Sequence, residues 1–195
     1  MALKEDILEQ IVEEYLIHQG YFVRHNVKFL PDKDHLEFNS KTDSNHSDID
    51  VLAYNPRRTG PDRVWAVSCK SWQGGLNPAR KIEEIQSNKI SAGRQAWKGF
   101  RELTRPKWSE AFINAVRDQT GERMFTYVTA VTRLEGDRKL WENHPAFCSA
   151  MAGNPIRLIT LGEMVSEIYG QTKTTMAVTD IGRTLQLFKA AGVKI

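Results

Sequence analysis

The chain has 195 residues, a formal net charge of +3 and two cysteines, Cys69 and Cys148. This length suits one domain with an ordinary core, and two cysteines without metal-ligand spacing exclude a disulfide scaffold and a zinc cluster. No apolar run approaches the ~18 residues of a membrane span and no signal-peptide pattern opens the chain, so we expect a cytoplasmic protein without a membrane partner.

The chain begins with a helical pattern and continues into strands. Apolar residues at helical spacing predict a helix over residues 3–18, and a strand over 21–29 follows at once. A polar loop, 31–47, leads to two apolar, β-branched segments, 46–54 and 63–70, which are joined by a stretch rich in turn-forming residues. We expect these two segments to form an antiparallel hairpin.

The second half of the chain predicts further helices and two more strands. The longest predicted helix covers residues 78–102, with Asn77 as its cap and Pro78 in its first turn. Strands are expected at 124–131 and 155–160, and helices at 108–118, 138–151, 162–169 and 179–191, the last capped by Thr179 or Asp180. A single domain over 1–195 is expected, with a core at about 3–131 and a C-terminal strand and helices at 138–195.

Charged residues lie inside the two hairpin strands, where burial is costly. Side chains alternate along a strand, so Asp48 and Asp50 are expected on one face, and Ser68 and Lys70 on one face of the partner strand. A carboxylate that holds a hard cation, beside a lysine that orients or deprotonates water, is what metal-assisted phosphodiester hydrolysis requires. The alternatives are a structural ion pair for Asp50 and a strand-end lysine that extends into water.

The element order α-β-β-β-α-β, with an acid on the second strand and a lysine at the end of the third, resembles the restriction-endonuclease-like PD-(D/E)XK nucleases. Within them it is most similar to the type IV restriction and junction-resolvase-like branch. Residues 8–23 resemble the opening helix and strand, 49–53 the acidic motif, and 67–70 the lysine motif. The resemblance implies an α/β fold with an αβββαβ core, in which a central mixed sheet is flanked by helices and extra helices follow at the C-terminus.

The resemblance also implies a function, that of a DNA endonuclease in a restriction or defence system. Its cofactor would be Mg²⁺, for which Mn²⁺ can substitute, held by Asp50, the backbone carbonyl of Cys69 and Glu9. Lys70 would position the attacking water or offset developing charge. A homodimer, or a partner subunit that supplies target recognition, stays open.

Position 68 departs from the family pattern, which commonly has an acid two residues before the lysine. Ser68 offers only a neutral hydroxyl, so a relocated carboxylate is needed, and Glu9, at the edge of the apolar stripe of the first helix, is our candidate. Ser68 itself is interpreted as a small residue that packs beside the site. The departure keeps two alternatives open: a nuclease-fold protein that binds nucleic acid without cutting it, and an unrelated assembly module whose charged residues form structural ion pairs.

Two segments are candidates for contact with DNA. Trp72 and Gln73 precede two glycines, which would let the backbone approach a nucleic-acid strand while the indole stacks on a base. Arg94 and Lys98 belong to a basic run on the long predicted helix and would contact phosphates. A turn packed by a tryptophan and an ordinary solvated face are the respective alternatives.

Overall fold

The fold is described from a computed structural model that covers residues 6–91, 93–173 and 175–194. Short 3₁₀ turns occur at Gly60–Arg63 and Ala96–Phe100. The α-helices are α1 (Ile7–His18), α2 (Ser40–Asp43), α3 (Pro78–Gln86), α4 (Arg101–Thr104), α5 (Pro106–Thr120), α6 (Lys139–Glu142), α7 (Pro145–Ala150), α8 (Leu161–Gln171) and α9 (Asp180–Ala190).

A five-stranded mixed sheet forms the centre of the fold. The strands of the chain are β1 (Phe22–Phe29), β2 (Ser47–Tyr54), β3 (Val64–Lys70), β4 (Ile90–Ser91), β5 (Arg94–Gln95), β6 (Thr126–Val131) and β7 (Ile156–Thr160). The sheet order is β1-β2-β3-β6-β7, and β4 pairs with β5 in a separate small hairpin. Strands β1, β2 and β3 are antiparallel, whereas β3, β6 and β7 run parallel.

The predicted α/β class, with a mixed sheet and flanking helices, is confirmed. So is the antiparallel hairpin of β2 and β3, in which Val51 lies opposite Val67 and Tyr54 opposite Val64. The part of the first predicted helix before residue 6 lies outside the described residues. Within them, the helix begins at Ile7, after Asp6 accepts a hydrogen bond from the backbone N–H of Leu8 as its cap.

Apolar residues cover both faces of the sheet, as expected for a sheet that carries parallel strands. One face, which we call the α1 face, packs against α1, α8 and α9. The other, the α5 face, packs against α4, α5, α6 and α7. The largest fully buried aromatic side chains lie on the α5 face: Trp108, Trp141, Tyr127, Phe100, Phe112 and Phe125. The sheet is therefore the middle layer of three.

The prediction of one long helix over 78–102 is wrong. Helix α3 ends at Gln86, and the chain then reverses through the hairpin of β4 and β5 before it reaches α4. Asn88 and Gly93 take positive φ angles of 54° and 74°, which a continuing helix does not allow. The carboxylate of Glu84 also binds the ammonium groups of Lys81 (2.7 Å) and Lys89 (3.2 Å), which holds the turn against the end of the helix.

Proline divides the predicted helix over 138–151 into α6 and α7. His144, the residue before Pro145, is extended at φ −65° and ψ 119°, because the proline ring disfavours helical geometry in the preceding residue. Near the C-terminus, Thr179 caps α9 by accepting a hydrogen bond from the N–H of Gly182 at 3.0 Å. Of the two expected caps, the hydroxyl of Thr179 therefore takes this role.

In the described part of the chain, no helix is both long enough and apolar enough to cross a lipid bilayer.

The loop after β3 is tied to the chain that follows β6. Leu76 donates its N–H to the carbonyl of Arg133 (2.7 Å) and accepts from the N–H of Glu135 (2.8 Å). Gly75 makes this approach possible, since a Cβ there would lie 2.5 Å from the carbonyl oxygen of Arg133, and its φ is +70°. A glycine is thus required at position 75 on two counts.

We predict that Gly75→Ala lowers the free energy of unfolding by about 1–3 kcal/mol, because alanine resists the left-handed conformation and its methyl group meets Arg133. Urea denaturation measures the change. Gly74→Ala is the matched control: its φ is not positive, and a Cβ there meets no described atom within 4 Å. Equal stability of the two variants would contradict the prediction.

Candidate active site

The site lies where the backbone pairing of β2 and β3 ends. The paired register of these strands stops at Val51 and Val67. Beyond that point β2 stays paired with β1 as far as Ser47, and β3 stays paired with β6 as far as Lys70. The next residues on each side, Asp50 and Ser68, therefore face a gap in the ladder of the sheet.

The side chain of Asp50 fills part of this gap. Its Oδ2 accepts the backbone N–H of Cys69 at 2.6 Å, so a carboxylate takes the place that a strand carbonyl would occupy. A charge-assisted bond of this length is among the stronger hydrogen bonds in proteins. It fixes the orientation of the carboxylate and leaves Oδ1 to other partners.

Side-chain alternation along β2 is interrupted at Asp50. Ile49 packs in the core of the α5 face and Val51 in that of the α1 face, although two residues apart on a regular strand share a face. On β1, Asn26 lies between the pairs on either side of Asp50 and has a φ of 53°. The alternation from which Asp48 and Asp50 were expected on one face does not hold here, and Asp48 is exposed.

Lys70 turns back along its own strand. Its Nζ donates to the Oγ of Ser68 at 2.8 Å and lies 5.4 Å from the centre of the Phe100 ring. Ser68 and Lys70 therefore share a face of β3, as predicted. Because Ser68 is 6% exposed, the ammonium group is anchored at the rim of the buried layer rather than extended into water.

Electrostatics at Asp50 favour the addition of positive charge. Burial is the largest influence and raises the pKa of Asp50, while the charge of Lys70 and the hydrogen bond from Cys69 act in the opposite direction. The carboxylates of Glu102 and Asp48 add to the rise. Three acidic groups thus share the neighbourhood of one ammonium group.

Glu9, on α1, acts electrostatically on the end of β3. Burial raises the pKa of the Cys69 thiol, and the charges of Asp50 and Glu9 raise it further. Asp6 accepts a hydrogen bond from the hydroxyl of Ser71 at 2.6 Å, which holds the start of α1 against the end of β3. Glu9 and Asp50 are two of the predicted metal ligands, and both act electrostatically on Cys69. The third predicted ligand is the backbone carbonyl of Cys69.

The residues fit a magnesium ion that is held partly by water and substrate. Over residues 6–91, 93–173 and 175–194, no three side chains of histidine, cysteine, aspartate or glutamate are close enough to hold a metal ion by themselves. Mg²⁺ commonly takes one or two carboxylates and completes its shell with water and phosphate oxygens. The excess of acidic groups around Asp50 suits a cation bound in that way.

Glu102 is a site residue that the sequence reasoning missed. It lies on α4, is 5% exposed, and accepts a hydrogen bond from the hydroxyl of Tyr127 at 2.6 Å. The expected long helix ended at Glu102 and gave this residue no role in the site. The available signal was its position between the apolar residues Phe100 and Leu103, just before Pro106, which marks the segment as buried and short.

The candidate DNA-contacting residues lie on different elements of the chain. Trp72 packs edge-on against Phe100 at 5.8 Å, with the Nζ of Lys81 4.9 Å above the indole. Gln73 is exposed. Arg94 belongs to β5 and Lys98 to the following 3₁₀ turn, both exposed, so they do not share a helix face.

Comparisons of the chain with models of protein families, with curated proteins and with solved structures find no significant match. A function must therefore be inferred from the geometry of the site.

We predict that Asp50→Asn stabilises the protein at pH 7 in the presence of a chelator. Since folding raises the pKa of Asp50, its ionised form destabilises the fold. This penalty is absent below about pH 4, where an unfolded aspartate is still protonated, and grows as the pH rises through the folded-state pKa. Urea denaturation at pH 7 and at pH 3 should show a gain only at the higher pH.

Asp43→Asn provides the control of opposite sign. Burial alone would raise the pKa of Asp43, but hydrogen bonds from Lys107 (2.6 Å) and from the N–H of Asn39 bring it below its usual value. Its charge therefore stabilises the fold at neutral pH, and this stabilisation is lost as the pH falls. Loss of stability in both variants at pH 7 would contradict the assignment of Asp50 as a strained site carboxylate.

Proposed function

We propose that the protein is a Mg²⁺-dependent DNA endonuclease that hydrolyses phosphodiester bonds and serves a restriction or defence system. The observation that carries the proposal is that the Asp50 carboxylate, which accepts the N–H of Cys69, lies within electrostatic reach of the Lys70 ammonium at the point where β2 and β3 cease to pair. Half-buried carboxylates whose pKa is perturbed, beside a lysine, are typical of functional sites.

Asp50, the carbonyl of Cys69 and Glu9 would hold the metal ion. When bound, Mg²⁺ polarises the phosphoryl oxygen and lowers the pKa of bound water. Lys70 has three N–H donors, of which Ser68 receives one. The remaining two can orient the attacking water and contact a phosphate oxygen, so the bond to Ser68 aims the ammonium group without exhausting it.

A surface of cations and aromatic rings extends from the site and suits a nucleic-acid backbone. We call it the cation–aromatic surface; its residues are Trp72, Lys81, Arg94, Trp97, Lys98 and Arg105. The charges of Lys98 and Arg105 lie 5.9 Å and 4.5 Å from the centre of the Trp97 ring. Trp72 contacts Phe100, which also lies beneath Lys70, so the part of this surface formed by Trp72 and Lys81 adjoins the site. Such groups bind phosphates and stack on bases.

One observation favours a second candidate, a protein of this fold that binds nucleic acid without cleaving it. Position 68 carries a hydroxyl, and the described residues bring no three acidic side chains together as a ligand set. In that case Asp50 and Lys70 would have only a structural role, at the gap between β2 and β3. A cleavage assay with matched variants separates the two candidates.

We predict that Mg²⁺ or Mn²⁺ supports nicking or cleavage of supercoiled DNA and that Asp50→Asn and Lys70→Met abolish it. Losing the ligand removes Lewis-acid stabilisation of several kcal/mol, which corresponds to a rate loss of about 10³-fold or more. Asp48→Asn is the matched control, because Asp48 is exposed on the same strand and acts on Asp50 only through its charge, so its loss should change the rate far less.

Unchanged cleavage by a folded Asp50→Asn protein would overturn the assignment. Metal-independent binding of DNA by the parent protein, without any cleavage, would favour the second candidate.

We also predict that replacing Arg94 and Lys98 by alanine weakens DNA binding for every sequence alike. Each lost phosphate contact should reduce the slope of log affinity against log salt by about 0.9. Fluorescence anisotropy over a salt series, with a chelator present, measures this slope without cleavage.

The control pair for this experiment is Arg183→Ala with Lys194→Ala. Both residues are exposed, and they lie on and after α9, which packs on the α1 face. The same loss of affinity in both double variants would show only an effect of net charge and would contradict a defined DNA path.

A further inference from the structure

Beneath Lys70, a line of hydroxyl groups runs through the buried layer to Glu102. Lys70 donates to Ser68 at 2.8 Å, and Tyr127 donates to Glu102 at 2.6 Å. Between these two bonds, Ser68 on β3 and Tyr127 on β6 are neighbours: burial raises the pKa of Tyr127, and the Ser68 hydroxyl beside it acts to lower that pKa. Ser68 and Glu102 are 6% and 5% exposed, and Tyr127 is fully buried. We call Ser68, Tyr127 and Glu102 the hydroxyl relay.

The hydrogen bonds at the two ends of the relay leave the proton of Ser68 and the oxygen of Tyr127 available to each other. Tyr127 has one hydroxyl proton and gives it to Glu102, so its oxygen can only accept from a neighbouring group. Ser68 accepts from Lys70, so its own proton is available to Tyr127.

This polar line lies within an otherwise apolar layer. Phe100, Leu103 and Trp141 are fully buried around the same face of the sheet. Burying the polar groups of Glu102 and Tyr127 costs desolvation free energy. Apolar residues of similar volume would avoid this cost, so stability alone does not account for the polar groups. The outer end of the relay is the lysine of the site, and its inner end is the buried carboxylate of Glu102.

We propose that Glu102 is a positioning residue, which fixes the orientation of Lys70 through Tyr127 and Ser68. The proposal rests on the proposed function and explains the residue at position 68. An acid at position 68 would bind Lys70 as a direct ion pair. The hydroxyl of Ser68 instead links Lys70, through Tyr127, to the buried carboxylate of Glu102. The relay therefore holds the ammonium group in place and leaves its other donors to the reaction.

The test is a double-mutant cycle of Glu102→Gln and Tyr127→Phe, with the kcat and the KM for DNA measured for each protein. Each single variant should lower kcat by about 10- to 100-fold, as expected when an outer-shell partner is lost, and leave KM nearly unchanged. The double variant should be no slower than the slower single variant, because both interrupt one chain.

Tyr21→Phe is the control for the loss of a buried tyrosine hydroxyl. The hydroxyl of Tyr21 donates to the carbonyl of Asp62 at 2.6 Å, and its ring packs on the α1 face. This variant should keep the kcat of the parent protein. Should Glu102→Gln fail to fold, Ser68→Ala takes its place in the same cycle. Effects of the two substitutions that multiply, or a kcat unchanged by Tyr127→Phe, would overturn the relay.

A second measurement does not depend on cleavage. ¹³C relaxation at the Cε of Lys70 should report an ordered side chain in the parent protein and a mobile one in Tyr127→Phe and Glu102→Gln. If the parent protein cuts no DNA but both variants release Lys70, the relay stands and the proposed function fails. If the parent cuts DNA and Lys70 stays ordered in both variants, the proposed function stands and the relay is overturned.

Discussion

The hydrogen bond from the N–H of Cys69 to the carboxylate of Asp50 is the interaction on which the site depends. It lies where β2 and β3 stop pairing, and it replaces a strand–strand bond by a side-chain bond. Strand β3 can therefore continue beside its parallel neighbour β6, while β2 continues beside its antiparallel neighbour β1. Without that bond, the gap between β2 and β3 would contain the unpaired N–H of Cys69 beside the carboxylate of Asp50.

Much of the sheet could be predicted, because strand signals are local. The apolar, β-branched runs that became β2, β3 and β6 kept their predicted limits to within two residues, and the turn between β2 and β3 required a hairpin. The pairing of Ser68 with Lys70 followed from alternation alone. What failed near Asp50 was the same rule, because Asn26 adopts a positive φ and the strand pair changes face there.

Glu102 could not be placed from the sequence because its position depends on two distant events. The long helical pattern had to break at Asn88 and Gly93, and the next short helix then had to turn its acid towards Tyr127. The ion pairs of Glu84 that stabilise the break join residues on both sides of it. Helix propensity, summed over neighbouring residues, predicts one continuous helix for this segment, because the sum does not include contacts with residues that are distant in the sequence.

The contact of Gly75 and Leu76 with the chain after β6 bears on when the site can form during synthesis. The loop that carries Trp72 closes only against Arg133 and Glu135, and β6 must first dock beside β3. A growing chain that has emerged only through Lys70 thus holds Asp50 and Lys70 without the loop contacts that complete their surroundings. The site is therefore assembled only after the parallel strand β6 has been made and has docked beside β3.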